Sequence, residues 1–300
     1  MKKYLILGST SKIACFFIEK IKLSSQIMKI SSNKGLDDHY SFNNIMTNIE
    51  KFMPDIIINF SNVIDSDYEK SYLVNTLIAK KIFDSLLLLK QFPRVILIGT
   101  AAEYGIQEKY SENVITKPCN VYGLTNSMQN QIFNYYTHHY STINSIYVRP
   151  FNIFHEKFDS ENLFIGKLNN QLKKMLNSNI KTLDFGNLNV NRDYLLIDDL
   201  FEAIIHLIDF GQNGETYNIG MGSSINLKEL STLIRKYVTD KLDHKNLNLD
   251  VDFMKGVMPS TENVAIAIWN QLKAHIDELG GQLHCIKLYE TENNYVEYFG

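Results

Sequence analysis

The 300 residues predict an α/β protein on a doubly wound parallel sheet, with a small second lobe and a C-terminal helix plus β-hairpin segment. Three observations carry this prediction. Short apolar runs alternate with stretches of helical periodicity from Tyr4 to Val148. Two of the runs, Asp55–Phe60 (DIIINF) and Arg94–Ile98 (RVILI), are apolar and β-branched almost throughout, as strands buried on both faces must be. Gly8 stands between the first strand run and the first helical stretch, at the edge where open parallel sheets bind ligands.

The elements follow in order. Tyr4–Leu7 reads as a strand ending in Gly8, with a helix through Ile21 and a second strand at Ile27–Ile30. Asp55–Phe60 is the next strand, Lys70–Lys90 repeats apolar residues at helical spacing, and Arg94–Ile98 is a further strand. Val121–Tyr140 reads as a helix and Ser145–Val148 as a strand. From Pro150 the rhythm loosens into a helix (Asn162–Asn177), a strand near Lys181–Asp184, a helix (Asp199–Phe210), a strand (Tyr217–Gly220) and a helix (Asn226–Tyr237). Residues 150–237 are read as a substrate lobe and residues 1–237 as one domain, with 238–300 as a separate segment. In that segment Thr261–Ile276 is a helix with Ser260 or Thr261 as its N-cap, and Leu283–Tyr289 and Tyr295–Phe299 form a hairpin.

Composition narrows the function. Hydrophobic residues make up 45%, enough for a packed core without disulfides. A net charge of −3 points away from nucleic acid and from anionic membranes. Three widely spaced cysteines suggest neither a disulfide framework nor a zinc knuckle and fit a reducing cytoplasm. The N-terminal apolar run is too short for a signal peptide, and no stretch approaches the roughly 20 apolar residues of a membrane span.

Gly8-Ser-Thr10-Ser11-Lys12-Ile13-Ala14 joins the first strand to the first helix. A glycine permits a tight turn there, and a helix N-terminus offers N–H groups and a positive dipole to a pyrophosphate. Ser11 and Ala14 replace two further glycines of a dinucleotide motif with small residues, so a plain strand–helix turn is an equal reading. After the second strand, Ser31-Ser32-Asn33-Lys34 holds no carboxylate for an adenosine ribose, and Lys34 would welcome a 2′-phosphate. This favours NADP over NAD.

Further segments occur in a telling order: Asn75 in Val-Asn-Thr, Gly99-Thr-Ala-Ala-Glu-Tyr104-Gly, Tyr122, Arg149-Pro-Phe-Asn152, Arg192-Asp193 and Tyr217-Asn-Ile-Gly220. Together they resemble the extended short-chain dehydrogenase/reductases, the epimerases, dehydratases and reductases of nucleotide sugars, from Met1 to about Tyr237. Gly186-Asn-Leu with Arg192-Asp193 is most similar to the branch reducing GDP-4-keto-6-deoxy-mannose. The resemblance implies a Rossmann-type sheet, NADP or NAD as cofactor and a small-molecule nucleotide sugar as substrate. It implies Tyr122 as acid/base at the sugar C4 oxygen and Thr100 as a hydrogen-bonding partner of that oxygen. The family's lysine, four residues after the tyrosine, is Asn126 here. An amide can still bond a ribose hydroxyl but carries no charge to lower a tyrosine pKa from about 10. Reduction, in which neutral tyrosine only donates a proton, is favoured over epimerisation or dehydration. The alternative is a pseudoenzyme that binds cofactor or nucleotide sugar without turnover. Arg192 is the candidate grip for a diphosphate, or else pairs with Asp193, Asp198 or Asp199; Asn152 contacts substrate or caps a turn.

The tail resembles another family. Leu242-Asp243-His244-Lys-Asn-Leu-Asn248, Ser260-Thr-Glu-Asn263-Val-Ala and Tyr289-Glu290-Thr-Glu-Asn-Asn294-Tyr-Val-Glu-Tyr are similar to the second half of the 6-pyruvoyl- and 6-carboxy-tetrahydropterin synthases. The resemblance implies that Asp243 and His244 derive from a proton-transfer set and Glu290 from a pterin grip. The half of that fold carrying the zinc histidines and catalytic cysteine is missing, and no His-x-His occurs, so no metal is expected. The three residues read as relics of a gene fusion or frameshift; the rival is a pterin-pathway protein that acts with a complementary chain. Val264, Ile268 and Leu272 recur at spacing four and need cover. The tail is expected either to pack on the 149–237 lobe or to pair with a second copy in a homodimer.

Overall fold

The computed structural model describes residues 1–31, 40–155, 188–290 and 294–300. The chain divides into two compact units, one of Met1–Thr182 with Tyr194–Gly220, the other of Leu183–Asp193 with Met221–Gly300.

The first unit is a parallel sheet between two helical layers. Its strands are β1 (Lys2–Leu7), β2 (Ser25–Ile30), β3 (Ile56–Asn59), β4 (Arg94–Ile98), β5 (Asn144–Pro150) and β9 (Thr216–Ile219), in the order β2-β1-β3-β4-β5-β9. Alternation within each strand feeds both faces. Tyr4, Ile6, Ile56, Ile58, Ile96 and Ile98 meet α1 (Lys12–Ile21) and α6 (Ile197–Phe210) on one side. Leu5, Leu7, Ile57, Val95 and Leu97 meet α2 (Phe42–Phe52), α4 (Leu77–Leu89) and α5 (Val121–His139) on the other. Residues 194–220 complete this sheet, because α6 covers one face and β9 pairs with β5. A short parallel pair, β6 (Asn152–Phe154) with β8 (Tyr194–Leu196), lies beside it.

Two local features differ from the periodicity. The helical stretch 70–90 is two helices, α3 (Tyr68–Asn75) and α4, broken at Thr76. The break has a polar cause: the buried Thr76 hydroxyl donates to the Thr125 carbonyl (2.6 Å), and Asn75 bonds both backbone groups of Val63. Helix α2 carries too few apolar residues to announce itself; only Ile45 and Ile49 are buried, one turn apart beneath a Ser41 N-cap. The readings at Asn162–Asn177 and Lys181–Asp184 lie outside the described residues.

The second unit holds β7 (Asn191–Arg192) paired antiparallel with β10 (Ile225–Asn226), α7 (Leu227–Ile234), α8 (Thr261–Glu278), and a hairpin of β11 (Ile286–Tyr289) and β12 (Tyr295–Tyr298). Helix α7 widens into one turn of π-type spacing over Arg235–Thr239. Ser260 caps α8. Val264, Ile268, Leu272 and Ile276 form the buried stripe of α8, packed with Leu230, Leu233 and Tyr237 and with Ile286 and Leu288 of the hairpin. The tail thus finds its cover within its own chain. Ile268→Val is expected to cost about 1 kcal/mol of unfolding free energy; a change below about 0.3 kcal/mol by urea titration would mean that the stripe is solvated.

Candidate active site

Strand order reverses between β1 and β3, the point at which open parallel sheets bind ligands beyond the carboxyl ends of their strands. Gly8 turns out of β1 in the left-handed region (φ 71°), and a Cβ there would stand 2.5 Å from the Ser61 nitrogen. Only glycine lets the two loops touch. Ser11 caps α1 by accepting from Ala14 N–H (3.2 Å), Thr10 and Lys12 are exposed, and the Ile13 side chain packs on the core. Lys34 lies outside the described residues.

Strand β4 is followed by Gly99 and Thr100, and α5 brings Tyr122 and Asn126, one turn apart, from its first two turns. Burial pushes the Tyr122 hydroxyl above its ordinary range; the nearby Thr100 side chain opposes this and the Glu103 charge adds to it. Part of the Tyr122 ring is exposed even so.

Asn126 is fully buried, and its amide is spoken for. Its nitrogen donates to the Tyr122 carbonyl (2.9 Å) and to Asn62 Oδ1 (3.3 Å), while its oxygen accepts from Asn62 Nδ2 (3.0 Å). A neutral amide pair thus links the loop after β3 to α5.

Beneath Thr100 lies a charged pair that the sequence reading did not single out. Glu103 and Arg149 are 0% and 2% exposed, with Arg149 Nε donating to Glu103 Oε2 at 2.9 Å. Two signals announce it in retrospect. Thr100-Ala-Ala-Glu103 has capping-box spacing, and the box forms. Arg149 ends an apolar strand, where a cation requires a partner.

The other expected site residues lie on other elements. Asn152 lies half-buried on β6 in the first unit, whereas Arg192 is exposed on β7 in the second, in register with Ile225. Asp193 accepts from the Met221 and Gly222 N–H groups (2.9 Å each), and Asp198 faces Lys20 at 3.6 Å. Asp243 and His244 stand 3.6 Å apart on an exposed loop, their side chains 66% and 95% exposed. Glu290 is exposed at the hairpin end, where it accepts from Asn294 Nδ2 (2.7 Å). Among the described residues, no group of three or more His, Cys, Asp or Glu is arranged to hold a metal ion, and no helix is long and apolar enough to cross a membrane.

The comparisons match this division. Residues 213–300 match the 6-pyruvoyl tetrahydropterin synthase family. The chain is 44% identical over 80 residues to the 6-pyruvoyl tetrahydrobiopterin synthase of Dictyostelium discoideum, covering 27% of this chain and 57% of that protein. It spans little more than half the length of such relatives. Over 214 residues, 68% of each protein, it is 28% identical to GDP-6-deoxy-D-talose 4-dehydrogenase of Aggregatibacter actinomycetemcomitans. Its fold superimposes with a TM-score of 0.69 on RMD from Pseudomonas aeruginosa, solved with NADPH, at 17% identity over 79% of this chain and 84% of that one. Residues 38–220 match the model described as the NAD dependent epimerase/dehydratase family, and the chain belongs to that family.

Proposed function

We propose that the first unit is an NADP(H)-dependent reductase of a keto-sugar nucleotide, slowed by Asn126. One observation carries the reading: Thr100, just after β4, stands near Tyr122 of the first turn of α5, whose hydroxyl burial pushes above its ordinary range. A site that keeps its tyrosine neutral can give a proton to a carbonyl oxygen but is poor at taking one from a hydroxyl. The GDP-6-deoxy-D-talose 4-dehydrogenase relative acts on a nucleotide sugar, and the RMD neighbour was solved with NADPH.

The carboxyl end of the sheet suits the phosphates of a dinucleotide. The Gly8 turn and the capped N-terminus of α1 form an anion cradle, and the buried Ser61 hydroxyl next to it has no hydrogen-bond partner among the described residues. When bound, a reduced nicotinamide supplies a hydride to the substrate carbonyl carbon. Gly8, Ser11, Lys12 and Ile13 hold the phosphates, Lys34 adds charge for a 2′-phosphate, Thr100 orients the carbonyl oxygen, and Tyr122 delivers its proton there. Asn152 is the candidate contact to the nucleotide sugar. The committed amide of Asn126 favours a second reading, binding without turnover.

Fluorescence titration separates these readings. NADPH is expected to bind more tightly than NADH; equal or reversed affinities overturn the NADP preference, and no binding of either at millimolar concentration overturns the cofactor reading. Binding without reduction of any 4-keto-sugar nucleotide selects the second reading.

A further inference from the structure

The Thr100–Tyr122 pair rests on a buried polar scaffold. Glu103 Oε1 accepts from the Thr100 backbone N–H (3.1 Å) and from the Tyr147 hydroxyl (2.8 Å), while Oε2 accepts from Arg149 Nε (2.9 Å). The Tyr147 hydroxyl also lies 3.0 Å from the backbone oxygen of Asn126. A single carboxylate therefore ties the end of β4 to β5 and, through Tyr147, to the helix that carries Tyr122. The scaffold has no slack: a Cβ on Gly99 would stand 2.2 Å from the Tyr147 hydroxyl and 2.4 Å from Glu103 Oε1. Arg149 is held from its other side, donating to the Tyr104 hydroxyl (3.0 Å) with its guanidinium 4.8 Å from that ring.

We infer that Glu103, locked to Arg149, is the positioning residue of this site, fixing Thr100 beside Tyr122. This inference rests on the reductive reading above. The Thr100 hydroxyl accepts from Ala102 N–H (3.2 Å), and its place near Tyr122 needs the Thr100 backbone pinned. Glu103 pins it through the capping box. The same carboxylate acts electrostatically. The titratable and charged groups of this network are Glu103 and Tyr104 on the β4 side and Tyr147 and Arg149 on β5. Of these, the Glu103 charge opposes loss of the Tyr122 proton, and no lysine ammonium on α5 counters it. Glu103 touches no reacting atom; it acts through Thr100.

The test uses full-length chain carrying 3-fluorotyrosine at position 122, with its fluorine NMR signal followed against pH. Glu103→Gln puts an amide nitrogen where Arg149 needs an acceptor. An unpaired buried guanidinium can unfold the protein, so E103Q/R149M, which removes both charges, is measured in parallel. The residue-122 resonance is expected to shift and its titration midpoint to fall in both variants. Reduction of a 4-keto-sugar nucleotide is expected to lose about tenfold in kcat, with KM and NADPH affinity unchanged. A fluorine signal and midpoint identical to those of the parent chain overturn the assignment. If the parent chain reduces nothing yet the fluorine signal responds, the reductase reading fails and the positioning role stands.

Discussion

Asn126→Lys is expected to raise reduction of a keto-sugar nucleotide at least about tenfold, equivalent to ~1.4 kcal/mol at the barrier. Lysine at this position would place an ammonium on the same face of α5 as Tyr122, one turn away. Its charge stabilises tyrosinate and so lowers a hydroxyl that burial and Glu103 now hold up. A proton donor whose pKa lies nearer the working pH transfers its proton more readily. Two acceptors stand ready for the ammonium, the Tyr122 carbonyl and Asn62 Oδ1, both now bonded by the Asn126 amide. The site is fully buried, so the new charge carries a desolvation cost and the variant is expected to melt somewhat below the parent. Steady-state kinetics with saturating NADPH checks the gain. No gain in a variant that folds and binds NADPH would put the defect outside the Tyr122 neighbourhood.

Arg149→Ala is expected to cost about 3–5 kcal/mol of stability, because it strands the Glu103 carboxylate in the core. It also removes the donor to the Tyr104 hydroxyl. The loss should depend on pH, and its sign follows from Glu103. Burial, the largest influence, already pushes that carboxyl above its ordinary range, and Arg149 pulls it down. Without Arg149 the folded-state pKa rises further above the unfolded value of about 4.3. Across that window the native state holds more protons than the unfolded chain, so stability falls as pH rises. The deficit should therefore be smallest at mildly acidic pH and widen toward neutrality. Urea unfolding at a series of pH values measures it; a deficit below about 1 kcal/mol, or one independent of pH, would show that the pair is solvated.

Legibility in the sequence tracked local physics. Buried parallel strands such as Arg94–Ile98 were readable because both faces must be apolar, and this strand has the bounds that its composition predicts. Helix α8 was readable from its spacing-four stripe and its Ser260 cap. The break at Thr76 was not, because the residues on either side keep helical periodicity and the cause, a bond to Thr125, lies across the fold. Nor was the Asn62–Asn126 pair, whose members are 64 residues apart and chemically unremarkable until they meet.

The sequence alone determined the sheet, the family resemblance of both parts, and the one missing charge, since these depend on residue types at fixed spacings. Tertiary structure decided the rest. It carried β9 and α6 into the main sheet, because β9 finds its hydrogen bonds along β5 and α6 its cover on the sheet face. It put Arg192 in a different compact unit from Tyr122. It also placed Glu103 and Arg149, 46 residues apart, in a core where neither could remain charged without the other. Pairing across such distances is a property of packing, and no local pattern encodes which buried carboxylate will meet which buried cation.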